Sequence, residues 1–277
     1  MKKGGFFVFI VACFDIVLVA AALSHGFADT ACFASREAGH QTAHAEDTAY
    51  GWYVKVRTDG RQPDMPPEFG FIKNCSAHWI GDPDDKVIYL TFDAGYENGY
   101  TPQILNTLKK HDVPAAFFLV AHYITSAPDL VRRMVSEGHL VCNHSMHHKN
   151  MSTMTDLAAF QAELEDIEAV FYDVTRKKMP KYFRPPEGRF SEMCLDYAQQ
   201  LGYETFFWSF AYKDWYNDDQ PSEKTALDTM ILRTHPGMIA LLHSTSATNA
   251  KVLDEAITQW KAMGYRFDSL DNFKALP

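Results

Sequence analysis

The stretch Lys86-Val-Ile-Tyr-Leu-Thr-Phe-Asp-Ala-Gly-Tyr-Glu-Asn-Gly-Tyr100 decides the fold class of this 277-residue chain. Its apolar run from Val87 to Phe92 predicts a buried strand, and Asp93 stands at the end of that run. A helical pattern opens at Thr101. A carboxylate at the carboxyl end of a buried parallel strand is where α/β proteins place their chemistry, although an aspartate there can also serve only to cap a turn.

From residue 86 onward, apolar runs of strand length alternate with stretches of helical period. The predicted strands are 87–92, 115–120, 139–143, 182–183, 205–209, 238–242 and 265–267. After the helix at Thr101, the predicted helices are 127–138, 155–174, 192–201, 224–232 and 250–263. This alternation predicts one parallel α/β domain, and a barrel is one form that such a domain takes.

The N-terminus has the composition of a targeting segment. Two lysines precede an apolar stretch over residues 6–23, so residues 1–28 are interpreted as a secretory signal peptide. An uncleaved membrane anchor is the alternative, and Asp15 argues against it because a carboxylate at membrane depth is costly. Either interpretation predicts an extracytoplasmic location, with membrane association only through this segment.

Residues 29–49 are small and polar without periodicity, which predicts a disordered linker. Residues 50–83 are expected to form an N-terminal arm that packs on the main domain, residues 84–277.

The net charge of −9 argues against a nucleic-acid partner, which requires a basic face. The five cysteines include no Cys-x-x-Cys pair, which argues against a cysteine zinc site. One disulfide stays open, and Cys142 is expected to be a buried thiol.

Polar residues stand at or shortly after the ends of five predicted strands. They are Asp93, Asn143-His-Ser-Met-His-His148, Arg184-Pro-Pro-Glu-Gly188, Asp214-Trp215 and Leu241-Leu-His243. Taken singly, each has an ordinary structural explanation, such as a capped turn, a polar loop or a hydrogen-bonded histidine. Because the carboxyl ends of parallel strands share one face of a barrel, we expect these residues to converge there.

The order and spacing of these motifs resemble the NodB-like polysaccharide deacetylases over about residues 84–275. The resemblance is most specific to the delta-lactam-biosynthetic de-N-acetylase branch, the muramic-acid deacetylases of spore-forming bacteria. It implies a distorted (β/α) barrel with about seven strands. It also implies hydrolytic removal of N-acetyl groups from peptidoglycan amino sugars, specifically N-acetylmuramic acid during muramic delta-lactam formation in the spore cortex.

The resemblance assigns catalytic roles to four residues. Asp93 matches the general base that activates water, and His243 matches the general acid that protonates the departing amine. Arg184 and Asp214 match the pair that tunes the base and the acid. Amide hydrolysis requires a proton acceptor, a proton donor and a positive centre for the tetrahedral oxyanion, so these assignments agree with the chemistry.

Substrate contacts follow from the same resemblance. Trp215 and Leu241 match the hydrophobic wall that receives the acetyl methyl group. Tyr96 and Pro185 belong to the matched motifs and are also expected to contact the substrate.

His144 and His148 match the two metal-binding histidines of the family, and paired imidazoles at this spacing suit a divalent metal such as zinc. Most of the family has a second aspartate after the base as a further metal ligand, whereas this chain has Ala94 there. A methyl group cannot bind a metal, so the identity and affinity of the metal stay open. Glu97 and Asn98 are the nearby polar residues whose approach to the metal site also stays open.

Two other functions are alternatives to muramic-acid deacetylation. One is the same chemistry on another N-acetylated polymer, such as a chitin-like polysaccharide. The other is a catalytically inactive carbohydrate-binding barrel, for which Ala94 is the only support. The expected partner is a peptidoglycan glycan strand, with a functional link to a muramoyl-amidase.

Overall fold

The structure, a computed structural model, describes residues 47–274, so the predicted signal peptide and most of the predicted linker lie outside the described residues. The strands in this range are β1 (Tyr50–Gly51), β2 (Ala77–His78), β3 (Val87–Ala94), β4 (Ala115–Leu119), β5 (Leu140–Asn143), β6 (Tyr182–Phe183), β7 (Arg189–Phe190), β8 (Glu204–Phe206), β9 (Met238–His243) and β10 (Arg266–Phe267). The α-helices are α1 (Thr101–His111), α2 (Ala121–Ser126), α3 (Pro128–Ser136), α4 (Leu157–Thr175), α5 (Glu192–Gln200), α6 (Glu223–Leu232) and α7 (Ala247–Ala262). No helix in this part of the chain has the length and apolarity needed to cross a membrane.

Seven parallel strands curl around in the order β9-β3-β4-β5-β6-β8-β2, and β10 pairs with the start of β3. Backbone hydrogen bonds connect β9, at one end of this sheet, to the segments that follow β2 and β8 at the other end. The amide of Gly81 donates to the carbonyl of Gly237 (2.8 Å), and the amide of Ser209 donates to that of Ile239 (3.0 Å). Gly237 has φ +66°, and a Cβ there would lie 2.5 Å from the carbonyl carbon of Gly81. The sequence-based prediction of a distorted barrel is confirmed.

The β3 strand is buried along its whole length, and its side chains alternate between two apolar layers. Ile88 packs in the outer layer, between the sheet and the helices, whereas Val87 and Tyr89 pack with other strand residues inside the barrel. Successive side chains of a strand point to opposite faces. Asp93 therefore belongs to the inward series that starts at Val87, and it stands at the carboxyl end of the barrel.

The helices follow the predicted pattern closely, with capping residues where the sequence places them. Asp156 accepts a hydrogen bond from the amide of Ala158 at the start of α4, and Ser191 accepts one from Cys194 at the start of α5. The short helix α2 was not expected from the sequence, because six residues are too few to show a helical period.

The N-terminal region is more closely joined to the barrel than a separate arm would be. β1 pairs with β7 in a small antiparallel sheet, and Trp52 stacks on Phe207 with ring centroids 4.4 Å apart. Residues 77–78 form β2, which is a strand of the barrel itself. The expected boundary between residues 83 and 84 therefore does not separate the arm from the barrel. The sequence did not reveal β2, because a two-residue strand is too short to show alternation.

Three cysteines lie in the described part of the chain, and all are free thiols: Cys75, Cys142 and Cys194. Cys142 is fully buried inside the barrel, as predicted, and burial raises the pKa of its thiol. Cys13 and Cys32 lie outside the described residues.

Candidate active site

The strand ends open into one cleft of about 820 Å³ at the carboxyl end of the barrel. Asp93 lies beside His243 in the register of β3 and β9, and both residues line this cleft. His144 follows β5 and lines it as well. The expected convergence of these side chains is what the structure shows.

The Asp93 carboxylate is nearly buried, with 6% of the residue exposed. Its Oδ1 accepts a hydrogen bond from Nη1 of Arg184 at 2.7 Å, and its Oδ2 lies 3.6 Å from Nε2 of His144. Burial on its own raises the pKa of this carboxyl. The positive charge and hydrogen bond of Arg184, with a smaller contribution from His243, outweigh burial and lower the pKa below its ordinary value. Asp93 is therefore ionised at neutral pH and can accept a proton.

Arg184 is completely buried, and its guanidinium is held from several sides. Nε donates to the carbonyl of Phe206 (2.8 Å), and Nη2 donates to that of Phe207 (3.1 Å). Nη1 donates both to the hydroxyl of Thr91 (2.9 Å) and to Asp93 (2.7 Å). A buried charge is stable only when it is paired and hydrogen-bonded, so this arginine has one fixed pose behind the carboxylate.

His243 and Asp214 form the second pair. Asp214 is fully buried, and its carboxylate accepts hydrogen bonds from Nδ1 (2.7 Å) and from the backbone amide (2.8 Å) of His243. Burial lowers the pKa of His243, but the Asp214 carboxylate outweighs burial and raises it above the ordinary value. Because Nδ1 is bound to Asp214, Nε2 is the nitrogen available to donate a proton in the cleft.

Asn249 supports this second pair, and sequence reasoning missed it. Its side-chain amide donates to Oδ2 of Asp214 (2.5 Å) and to the carbonyl of His243 (3.1 Å). The only local signal was a polar residue directly before the predicted helix 250–263. Such a residue is usually explained by helix capping alone.

The two histidines of the predicted metal site lie side by side, with ring centroids 5.0 Å apart. Nδ1 of His144 donates to the carbonyl of Arg184 at 2.8 Å, which leaves the lone pair of Nε2 for the cleft. Burial lowers the pKa of His144 to about 4, so its ring is neutral at physiological pH. Metal-ligating histidines generally donate their second ring nitrogen to a carbonyl or carboxylate, so this arrangement fits a divalent metal.

Ala94 adds no donor atom to the two imidazoles. No group of three or more His, Cys, Asp or Glu side chains within residues 47–274 has the geometry of a metal site. Glu97 does not replace the missing carboxylate, because it accepts hydrogen bonds from the amide of Gly99 (2.6 Å) and the hydroxyl of Tyr123 (2.8 Å). Asn98 donates instead to the carbonyl of Thr245 (3.0 Å). His144 and His148 are therefore the two candidate ligands for a metal at this site.

The loop that carries these histidines contains two left-handed residues, Ser145 (φ +67°) and His148 (φ +55°). Such backbone is uncommon for residues other than glycine, and it persists where the surrounding structure holds it. The buried carboxylate of Glu163 on α4 does so, because it accepts hydrogen bonds from the amide (3.0 Å) and Nδ1 (2.9 Å) of His147. It also pairs with Nζ of Lys149 at 2.6 Å. His147 is thus bound outside the cleft.

The predicted substrate residues divide between two locations. Tyr96, Trp215 and Leu241 line the cleft, and the Trp215 ring lies 5.8 Å from that of His243. Pro185 is buried and is not among the residues that line the cleft. Its carbonyl accepts the amide of Gly188 (3.0 Å), so it shapes the turn after β6 and does not reach the cleft.

Aromatic residues that the site prediction left out also line the cleft. Trp52 donates from its indole nitrogen to the carbonyl of Trp208 at 2.8 Å, and both rings border the cavity. Gly188 allows this contact, because it has φ +64° and a Cβ there would lie 2.5 Å from the Trp208 ring. The sequence signal was Trp52 itself, but an aromatic residue in the N-terminal region has no assigned place at the cleft until the fold is known.

Comparison with known proteins agrees with this geometry. The polysaccharide deacetylase family model matches residues 80–206. The peptidoglycan-N-acetylmuramic acid deacetylase PdaA of Bacillus subtilis is 44% identical over 222 residues, which cover 80% of this chain and 84% of that protein. The chain belongs to the polysaccharide deacetylase family. The resemblance in the motifs is thereby confirmed.

Solved structures of polysaccharide deacetylases show the same fold. The structure of Bacillus subtilis PdaA, a family 4 carbohydrate esterase, is similar with a TM-score of 0.79 and 43% identity, covering 81% of this chain and 96% of that one. A family 4 carbohydrate esterase from Bacillus anthracis is similar with a TM-score of 0.68 and 37% identity, covering 82% of this chain and 96% of that one.

Proposed function

We propose that this polysaccharide deacetylase removes the N-acetyl group of N-acetylmuramic acid in peptidoglycan glycan strands, by hydrolysis to acetate and the free amine. The observation that carries the proposal is the pair of buried charge couples at one cleft, Arg184 with Asp93 and Asp214 with His243. The 44% identity to a peptidoglycan-N-acetylmuramic acid deacetylase supports the choice of sugar.

The chain's own groups account for the proton movements. Asp93, held ionised by Arg184, accepts a proton from the attacking water, and the hydroxide adds to the carbonyl carbon of the acetamido group. His243, held protonated by Asp214, gives a proton to the nitrogen as the carbon–nitrogen bond breaks. Trp215 and Leu241 exclude water around the acetyl methyl group. A divalent metal held by His144 and His148 would supply positive charge for the developing oxyanion, and zinc is the metal that we propose.

The biological setting is part of the same proposal. An N-terminal signal peptide would carry the enzyme to the outer face of the membrane, where peptidoglycan lies. We place the reaction in muramic delta-lactam formation in the spore cortex, after a muramoyl-amidase has removed the peptide from muramic acid. The support is the identity of the muramic-acid relative and the motif resemblance given above.

Acetate release from amidase-treated peptidoglycan tests the proposal, with intact peptidoglycan and chitin oligosaccharides as parallel substrates. We expect release that depends on amidase treatment and stops with a chelator, and mass spectrometry should locate the free amine on muramic acid. Release only from chitin oligosaccharides would establish the chitin-like alternative. No release with any divalent metal would overturn the deacetylase function, and release that survives chelation would refute the metal-dependent mechanism.

A further inference from the structure

The cleft extends well beyond the two charge couples. Its lining also includes Tyr53, Val54 and Val56 of the N-terminal region, and its volume of about 820 Å³ lies in the upper part of the range for ligand pockets. One acetamido sugar at Asp93 and His243 fills only part of this volume, so the cavity has room for a longer ligand.

The exposed apolar surface of the protein is concentrated at this cleft. Eight large hydrophobic side chains are exposed within residues 47–274, and four of them line the cleft: Tyr53, Val56, Tyr96 and Trp215. Exposed apolar side chains that lie together generally mark a binding surface, whereas scattered ones need no explanation. The clustering therefore points to a ligand with apolar faces along the whole cleft.

The N-terminal wall of the cleft is rigidly held. The amide of Trp52 donates to the carbonyl of Gly188 (2.9 Å), and the amide of Lys55 donates to that of Asp64 (3.0 Å), on either side of Tyr53.

The Tyr53 ring is itself fixed in place. It packs edge-on against buried Phe69 with centroids 5.4 Å apart, and its hydroxyl donates to Glu68 at 2.7 Å. A ring fixed in this way presents a flat apolar surface without losing side-chain entropy when a ligand binds.

We propose that Tyr53, with Val56 in the lining of the same cleft, forms a subsite for a sugar of the glycan strand that lies beyond the disaccharide containing the deacetylated sugar. The proposal rests on the function proposed above, because it takes the same polymer as ligand. The subsite is continuous with the catalytic cleft, so one strand spans both. The ring stacks on the apolar face of a sugar, and the preference is for long strands over a disaccharide.

The test compares two probes, the N-acetylglucosaminyl-N-acetylmuramic acid disaccharide and the hexasaccharide of three such repeats. Calorimetry on the full-length chain measures both dissociation constants, and acetate release is measured separately. We expect the hexasaccharide to bind more tightly than the disaccharide, and Tyr53→Ala to reduce that preference by about fivefold to tenfold. Tyr53→Phe, which keeps the ring, should retain the preference.

Tyr172→Ala is the matched control, because Tyr172 is as exposed as Tyr53 (49% against 48%) but lies on α4, and it is not among the residues that line the cleft. It should leave both affinities unchanged. Equal binding of the two probes, or equal loss of affinity for both in Tyr53→Ala, would overturn the subsite. Binding that depends on Tyr53 without any acetate release would support the subsite and overturn the proposed function instead.

Discussion

Replacing Asp93 with asparagine removes the proposed base while keeping the shape of the side chain. The carboxamide retains an oxygen that can accept the Nη1 hydrogen bond of Arg184, which is 2.7 Å long in the structure. It cannot accept a proton from water at neutral pH. The variant therefore separates the catalytic role of the carboxylate from its structural role as the partner of a buried arginine.

Two magnitudes follow from the structure. Loss of a general base lowers kcat by about 10²–10⁴-fold. The free energy of unfolding falls by about 1–1.5 kcal/mol, because a hydrogen bond between charged groups (about 1.5–3 kcal/mol) becomes one with a neutral acceptor (about 0.5–1.5 kcal/mol). The other bonds of Arg184, to the carbonyls of Phe206 and Phe207 and the hydroxyl of Thr91, remain in place. The loss is thereby kept below the ~3–5 kcal/mol expected when a buried charge is left without a partner.

The assay measures acetate release together with urea unfolding of the same preparation. Asp85→Asn is the control, because Asp85 pairs with Arg266 (2.6 Å) at the opposite end of β3, where the pair is partly exposed. This control should keep its activity and lose at most about 1 kcal/mol of stability. Activity of Asp93→Asn within tenfold of the unsubstituted enzyme, in folded protein, would refute the assignment of Asp93 as the base.

Three further substitutions test the rest of the site. Ala94→Asp adds a carboxylate beside the two imidazoles, and we expect zinc affinity, measured by competition with a chromophoric chelator, to rise on the order of tenfold. In Asp214→Asn the pKa of His243 should fall, because the Asp214 carboxylate raises it in the unsubstituted protein. His243 then loses its proton at lower pH, so the alkaline limb of the rate profile should move to lower pH. An unshifted limb would contradict that role. Glu163→Gln should weaken zinc binding by about 10–100-fold by loosening the histidine loop, whereas Glu168→Gln, on the same helix but bound to Lys181, should not.

Much of the barrel could be predicted because its signals are local. The apolar run that becomes β3, the capping residues of α4 and α5, and the alternation of strands with helices all lie within short windows of sequence. The convergence of Asp93, His144 and His243 followed from one topological rule, that parallel strands present their carboxyl ends on the same side.

The parts that could not be predicted depend on contacts between distant residues. Glu163 binds a loop 16 residues before it in the chain, and Asn249 binds Asp214 35 residues away, with no periodicity that marks either pair. Trp52 in the N-terminal region reaches the carbonyl of Trp208 across 156 residues. Pro185 was predicted to contact the substrate because it belongs to a catalytic motif, but it is buried in the turn after β6.

The sequence by itself determined that Asp93 ends a buried strand, that a pair of histidines follows another strand, and that Ala94 brings no metal ligand. These features depend on strand period, residue order and side-chain chemistry, which are properties of the chain alone. Only the tertiary structure decided that Arg184 lies 2.7 Å from Asp93 and that Glu97 is bound to Tyr123 rather than free for a metal. The direction of a pKa shift and the presence of a ligand depend on such distances, which arise when folding brings separate strand ends together and excludes water.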